Sequence, residues 1–148
     1  MKTRFRWLLA LLMLGGVSTA LARNDRVVFP IQDALARNGT FKDNLGDDVA
    51  LYFGGQETPK VLKAFATWTF VRKTSRLVSE DKDACEVAFI SAAYALQRRA
   101  REDGANAIIN IRSVHQDAET KSETEYVCGS GNTVASVILK GTLVKIVK

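Results

Sequence analysis

Apolar and polar positions in this chain alternate with the two-residue period of a strand in some stretches and recur with helical spacing in others. Val49, Leu51 and Phe53 alternate with Ala50 and Tyr52 until Gly54-Gly55 stops the run, which predicts a strand. A second strand is predicted over Ala64–Arg76, with Ala66, Trp68 and Phe70 on one side and Thr67, Thr69 and Val71 on the other. Its basic end, Arg72-Lys73-Thr74-Ser75-Arg76, reads as a solvated edge. From about Ala84 to Asp103 the period changes to that of a helix, and Cys85, Ala88, Phe89, Ala92, Leu96 and Ala100 fall on one stripe suited to lie on a sheet. Asp83 with Glu86 three residues on resembles a capping box, and Glu80, Asp81 and Asp83 suit the positive end of the helix dipole. Arg98, Arg99 and Arg101 lie near the negative end, and Gly104 is placed to stop the helix in the left-handed conformation.

A smaller stripe, Val87, Ile90 and Tyr94, lies almost opposite the first. It is a candidate interface: either the protein's own N-terminal segment covers it, or another molecule does. Beyond the helix, Ala107–Val114 reads as a buried strand with Ile109 and Ile111 inward. Gln116–Ser122 is a polar connection, Ser122–Cys128 the returning strand, and Gly129-Ser130-Gly131-Asn132 a turn. Val134–Val147 is a long final strand in which Gly141 marks a bulge or a point of close packing. Upstream, Pro30 opens a short helix through Ile31, Ala34 and Leu35 that ends at Asn38-Gly39. The predicted fold class is α+β, with one long helix packed on a mainly antiparallel sheet of about five strands.

Residues 1–22 change the picture of where this fold matures. Lys2, Arg4 and Arg6 precede an apolar run from Trp7 to Leu14, Gly15-Gly16 break it, and Ala20-Leu21-Ala22 offers small residues for a signal peptidase. The run is shorter than the roughly 20 residues a membrane span needs, and no Cys stands at the cleavage point to carry lipid. The expected organisation is a signal peptide over 1–22 cut between Ala22 and Arg23, an N-terminal arm over 23–48, and one domain over 49–148. The 148-residue chain carries a net charge of +5, and losing three leader cations brings the mature chain to about +2, too little to imply a nucleic-acid partner. The expected product is periplasmic, with no stable membrane anchor after leader removal.

Two cysteines in an oxidising compartment argue for one disulfide, Cys85–Cys128. Closing a loop of about 43 residues stabilises a fold by about 4 kcal/mol in the chain-entropy model. Catalytic signatures are missing: the sequence holds no phosphate-binding G-x-x-x-x-G-K-[ST], no G-x-S-x-G and no H-E-x-x-H. Two Cys and one His cannot fill a four-ligand zinc module. His115 is the single imidazole, so any triad or Cys–His pair would be built on it. Glu123 and Glu125 share a strand face at a spacing normal for solvated side chains. No cofactor and no metal is expected.

At the helix and its exit the residues become distinctive: Asp83-Ala84-Cys85, Ala95-Leu96-Gln97-Arg98-Arg99-Ala100-Arg101, and Gly104-Ala105-Asn106-Ala107-Ile108-Ile109-Asn110-Ile111. Glu125-Tyr126-Val127-Cys128-Gly129 and Val137-Ile138-Leu139-Lys140-Gly141-Thr142 follow. Over Val49 to Ile146 this resembles small exported proteobacterial proteins that carry the label "excinuclease ATPase subunit". From Asp83 onward it is more distantly similar to the RcsF C-terminal domain and to YbjQ-type domains, which share the helix–Gly-Ala-Asn-Ala–strand step. The ATPase label finds no phosphate loop here. The RcsF likeness implies envelope stress or surveillance work, although this chain lacks the lipid-bearing Cys and has two Cys where that domain uses four. The YbjQ likeness implies a ring-forming oligomer that carries a ligand.

Together these readings predict a non-enzymatic periplasmic binding domain acting on an envelope protein or on itself. The alternatives are a ligand-binding ring of the YbjQ type and a small hydrolase that uses His115 with a nearby carboxylate.

Overall fold

The computed structural model describes residues 22–38 and 45–148. In chain order the elements are β1 (Asp25–Pro30), α1 (Ile31–Asn38), β2 (Ala50–Phe53), β3 (Val61–Ser75), α2 (Asp81–Asp103), β4 (Ala107–His115), β5 (Ala118–Thr120), β6 (Glu125–Ser130) and β7 (Val134–Ile146). The fold is mixed α/β: one curled, mostly antiparallel sheet of seven strands with two helices. That is two strands more than the pattern predicts, and the second helix is the short one expected after Pro30. The additional strands are β1, which lies in the expected arm and pairs with β6, and the three-residue β5, which lies in the expected connection and pairs with β4.

β7 is the spine. β3 runs antiparallel to it from Val61↔Ile146 to Ser75↔Val134. Its other side is shared by β4, paired from Ala107↔Val144 to Ser113↔Leu139, and by β6, paired at Gly129↔Ser136 and Ser130↔Ala135. β2 joins β4 in parallel, the one departure from antiparallel pairing. A strand of 13 residues can serve two neighbours in turn only if the sheet curls, and this one does.

Alternation decides which side is covered. Ala135, Val137, Leu139, Gly141 and Leu143 of β7 are buried toward α2, together with Ile108 and Ile111 of β4. Half-buried Phe65, Trp68 and Phe70 of β3 pack on the same core. Ala66 was expected to share the side of Trp68 and Phe70, but pairing slips between Ala64 and Thr67 and leaves Ala66 exposed, with Phe65 on the core. Ile109 was expected inward beside Ile111. A second irregularity, with Asn110 at φ 52, gives the inward place to Ile108 and sends Ile109 to a small second core of Ala107, Val144 and Ile146.

α2 starts earlier than the capping pattern suggests. The cap position is Glu80, without a side-chain bond, because Asp81, Asp83 and Glu86 are all recruited elsewhere. Asp81 accepts from Ser130 Oγ at 2.7 Å and pairs with Arg76. Arg37 of α1 bonds Asp83 at 2.9 Å and Glu86 at 3.1 Å. The other end follows the pattern: Gly104 sits at φ 79, its N–H bonds Ala100 and Arg101, and Ala105 N bonds Ala100 O at 2.9 Å. Two residues on, Asn106 works as a splice, its amide donating to Ile146 O at 3.1 Å and accepting from Ile146 N at 2.7 Å.

The helix is buried on two sides. Cys85, Ala88, Phe89, Ala92, Leu96 and Ala100 lie in the core as the stripe predicts. α1 and residues 45–49 cover the adjoining side: Lys82 bonds Asp33 at 2.7 Å, Gln97 bonds Gly46 O and Val49 O at 2.9 and 2.8 Å, and Arg101 bonds Asp48 at 2.7 Å. Cys85 and Cys128 form a disulfide between α2 and β6, with Cα atoms 5.9 Å apart. Among the described residues no helix is long and apolar enough to cross a membrane.

Candidate functional site

Side chains on the sheet face away from α2 can be read from the β3–β7 register. Directly opposed pairs there are Thr67/Thr142, Thr69/Lys140, Val71/Ile138, Lys73/Ser136 and Ser75/Val134. Thr67 and Thr142 share a hydroxyl–hydroxyl bond of 2.8 Å. Glu119 of β5 joins Arg112 at 2.6 Å and Lys140 at 2.7 Å, and these two cations hold its carboxyl below the usual range. Among the described residues nothing roofs this face, and Val71 in its middle is 45% exposed.

At one end the face deepens into a cleft of about 560 Å³. Its walls are the end of β4 (Val114, His115), the β6–β7 turn (Gly131, Asn132, Thr133), Lys73 of β3, Val134, Ser136 and Ile138 of β7, and the segment Ala22–Asn24. Gly129 is its floor. A Cβ there would stand 2.5 Å from Asn24 Oδ1 and 3.2 Å from His115 Cε1 and Nδ1, so ring and amide rest on bare backbone. His115 is followed by the two-residue turn into β5, with φ 48 at Gln116 and 64 at Asp117 and the pair His115↔Ala118 closing it. This is the positive-φ pair that fits strand twist, and away from glycine it costs about 1–3 kcal/mol per residue.

The electrostatics of the cleft are one-sided. No Asp or Glu among the described residues lines it. The Arg23 guanidinium is spent on Asp25 at 2.5 Å, with Asp81 at 3.9 Å. Lys73 has no ion-pair partner among the described residues and lies opposite the Ser136 position. Such a cleft offers donors to an anion. Among the described residues that line it, no carboxylate stands with His115.

The residues singled out from sequence are not gathered in one place. Ala22, Arg23 and His115 come together in the cleft. Cys85 and Cys128 are fully buried in their disulfide. The stripe Val87, Ile90 and Tyr94 is split: Ile90 is 2% exposed and belongs to the core, Val87 is half-buried, and Tyr94 is 38% exposed. Ile90 is thus covered by the protein itself, and of the stripe Tyr94 and part of Val87 remain at the surface. Glu123 and Glu125 are exposed and do not line the cleft. The leader expectation, apart from Ala22, lies outside the described residues, as does part of the turn-rich stretch after Asn38.

Lys73, Asn24, Ser136 and Gly129 escaped the sequence reading. Strand alternation does place Lys73 opposite in sense to Trp68 and Phe70, but nothing in the pattern brings β3, β6 and residues 22–24 to one spot. Among the described residues no group of three or more His, Cys, Asp or Glu is placed to hold a metal ion. The chain matches no family model, no curated protein and no solved structure.

Proposed function

We propose that this protein is a non-enzymatic binding domain of the cell envelope, exported by a leader that ends at Ala22. It contacts its envelope partner with the unroofed face of β3, β7, β4 and β5. The observation that carries the proposal is the asymmetry of the sheet: α2 and the disulfide lie on one side, and Val71, Thr69 and the Arg112–Glu119–Lys140 group stand exposed or half-exposed on the other. A charged, hydroxyl-rich surface on a rigid strand scaffold can present fixed contacts without reorganising on binding. In finer detail we place the fold with the RcsF and YbjQ domains. Gly104 and Asn106 support that reading, since both parts of the helix–Gly-Ala-Asn-Ala–strand step do structural work here. Leader removal would set a new ammonium on Arg23, at the wall of the cleft.

The test is in-cell photo-cross-linking, with the reactive residue introduced at Val71 or at Tyr94, combined with N-terminal sequencing of the recovered protein. The expected result is a discrete adduct from Val71, none from Tyr94, and a chain that begins at Arg23. An intact Met1 on cytosolic protein, or adducts from Tyr94 alone, would overturn the reading.

A further inference from the structure

We infer that the cleft at His115 binds the phosphate group of a small phosphorylated ligand of about sugar-phosphate size. The inference rests on the reading of the protein as a binding domain and names the ligand class for the cleft at one end of the same face.

Few donors around the cleft are still free. The two guanidinium groups nearest the cleft are engaged: Arg23 with Asp25, and Arg76 with Asp81 and the Gly131 carbonyl. Among the described residues at the cleft, no planar fork is therefore left to grip a carboxylate edge-on. What remains among the described residues is the Lys73 ammonium, a point charge that can approach an oxyanion from any direction, joined after leader removal by the new Arg23 ammonium; Ser136, Thr133 and Asn24 line the same cleft. The lining donors belong to β3, β7, the β6–β7 turn and the N-terminal segment, and a set drawn from several elements suits a tetrahedral anion better than a flat one. The absence of a lining carboxylate among the described residues removes the group that would repel it.

Size and wall chemistry set the remainder of the ligand. A volume of about 560 Å³ falls in the ordinary range for small-molecule sites and far exceeds one phosphate. Val114, Val134 and Ile138 give the cleft an apolar wall against which a carbon skeleton can lie. The Gly129 floor makes the geometry demanding, because any side chain there would displace both His115 and Asn24.

The experiment is an NMR titration of the purified, disulfide-bonded protein with glucose 6-phosphate, using glucose and glucuronate as parallel probes. Saturable shifts at His115 and Ser136 are expected with the phosphate ester, with affinity at least about tenfold above that for either other probe. Lys73→Met should weaken binding about tenfold or more, whereas Lys145→Met, at an exposed position on the far end of β7, should leave it within about twofold. Equal affinity for glucuronate, an unchanged Lys73→Met protein, or no shifts with the phosphate ester would each refute the inference. The titration needs no envelope partner, so its failure would leave the cross-linking result from Val71 standing.

Discussion

Gly141 owes its lack of a side chain to Ile108. A Cβ at this position in β7 would stand 2.6 Å from Ile108 Cγ2, 3.3 Å from Ile111 Cγ1 and 3.6 Å from Leu96 Cδ1. Glycine inside a strand ordinarily costs about 0.5–1 kcal/mol relative to alanine, so alanine would normally help. Here overpacking wins. Gly141→Ala is expected to destabilise the protein by about 1–3 kcal/mol, read as a lower urea midpoint with an unchanged slope. The sequence narrowed Gly141 to a bulge or a close contact, and both meet there: pairing to β3 is regular through Trp68↔Gly141, while the β4 irregularity between Ile109 and Arg112 falls opposite it and the Ile108 side chain closes on it. Seeing this required knowing that β4 and α2 meet at that point. Asn110 is a comparable case: its φ of 52 exchanges the roles of Ile108 and Ile109, which alternation alone assigns the other way.

Helix α2 shows how an element's composition records its neighbours. It was legible from Ala84 to Asp103, and its sheet-facing stripe is where the spacing puts it. Its second buried side was visible as Val87, Ile90 and Tyr94 but was one residue out of phase, because the side that α1 and residues 45–49 cover carries Glu86, Ile90, Gln97 and Arg101. Polar residues on that side hid it from a search for apolar spacing. The Asp48–Arg101 pair fastens this strap. The hydrogen bond from Arg101 lowers the Asp48 carboxyl from 3.8 to about 2. A carboxyl lowered on folding stabilises the native state while ionised, so its contribution is complete above about pH 4 and is lost as pH falls toward about 2. Because Asp48 is well exposed, the effect is small. Asp48→Asn should therefore lose slightly less stability than the parent protein between about pH 6 and about pH 2.5, measured by urea unfolding at both values.

Across the whole molecule, the Cys85–Cys128 bond ties the second turn of α2 to the middle of β6. With a sequence separation of 43, it removes loop entropy from the unfolded chain worth about 4 kcal/mol. That is a large share of the roughly 5–15 kcal/mol typical of a domain. Replacing both cysteines by alanine is expected to lower the unfolding free energy by up to that amount, and a loss below about 1 kcal/mol in chemical denaturation would contradict the entropic account. The bond also anchors Cys128 next to Gly129, so the floor of the cleft is tied to α2 through one covalent link.

The pairing of the two sulfurs, the helix with its glycine stop, the strands β2, β3, β4, β6 and β7 and the mixed helix–sheet class were all legible in local sequence, because periodicity and cysteine count act over short range or admit one solution. Tertiary structure alone decided the rest: the parallel docking of β2, the recruitment of β1 and β5, the burial of Ile90, and the meeting of Lys73, His115, Gly129 and Asn24. Each of these depends on where the curl of the sheet carries distant segments. A curl is the sum of many small twists along paired strands, and no stretch of sequence contains it.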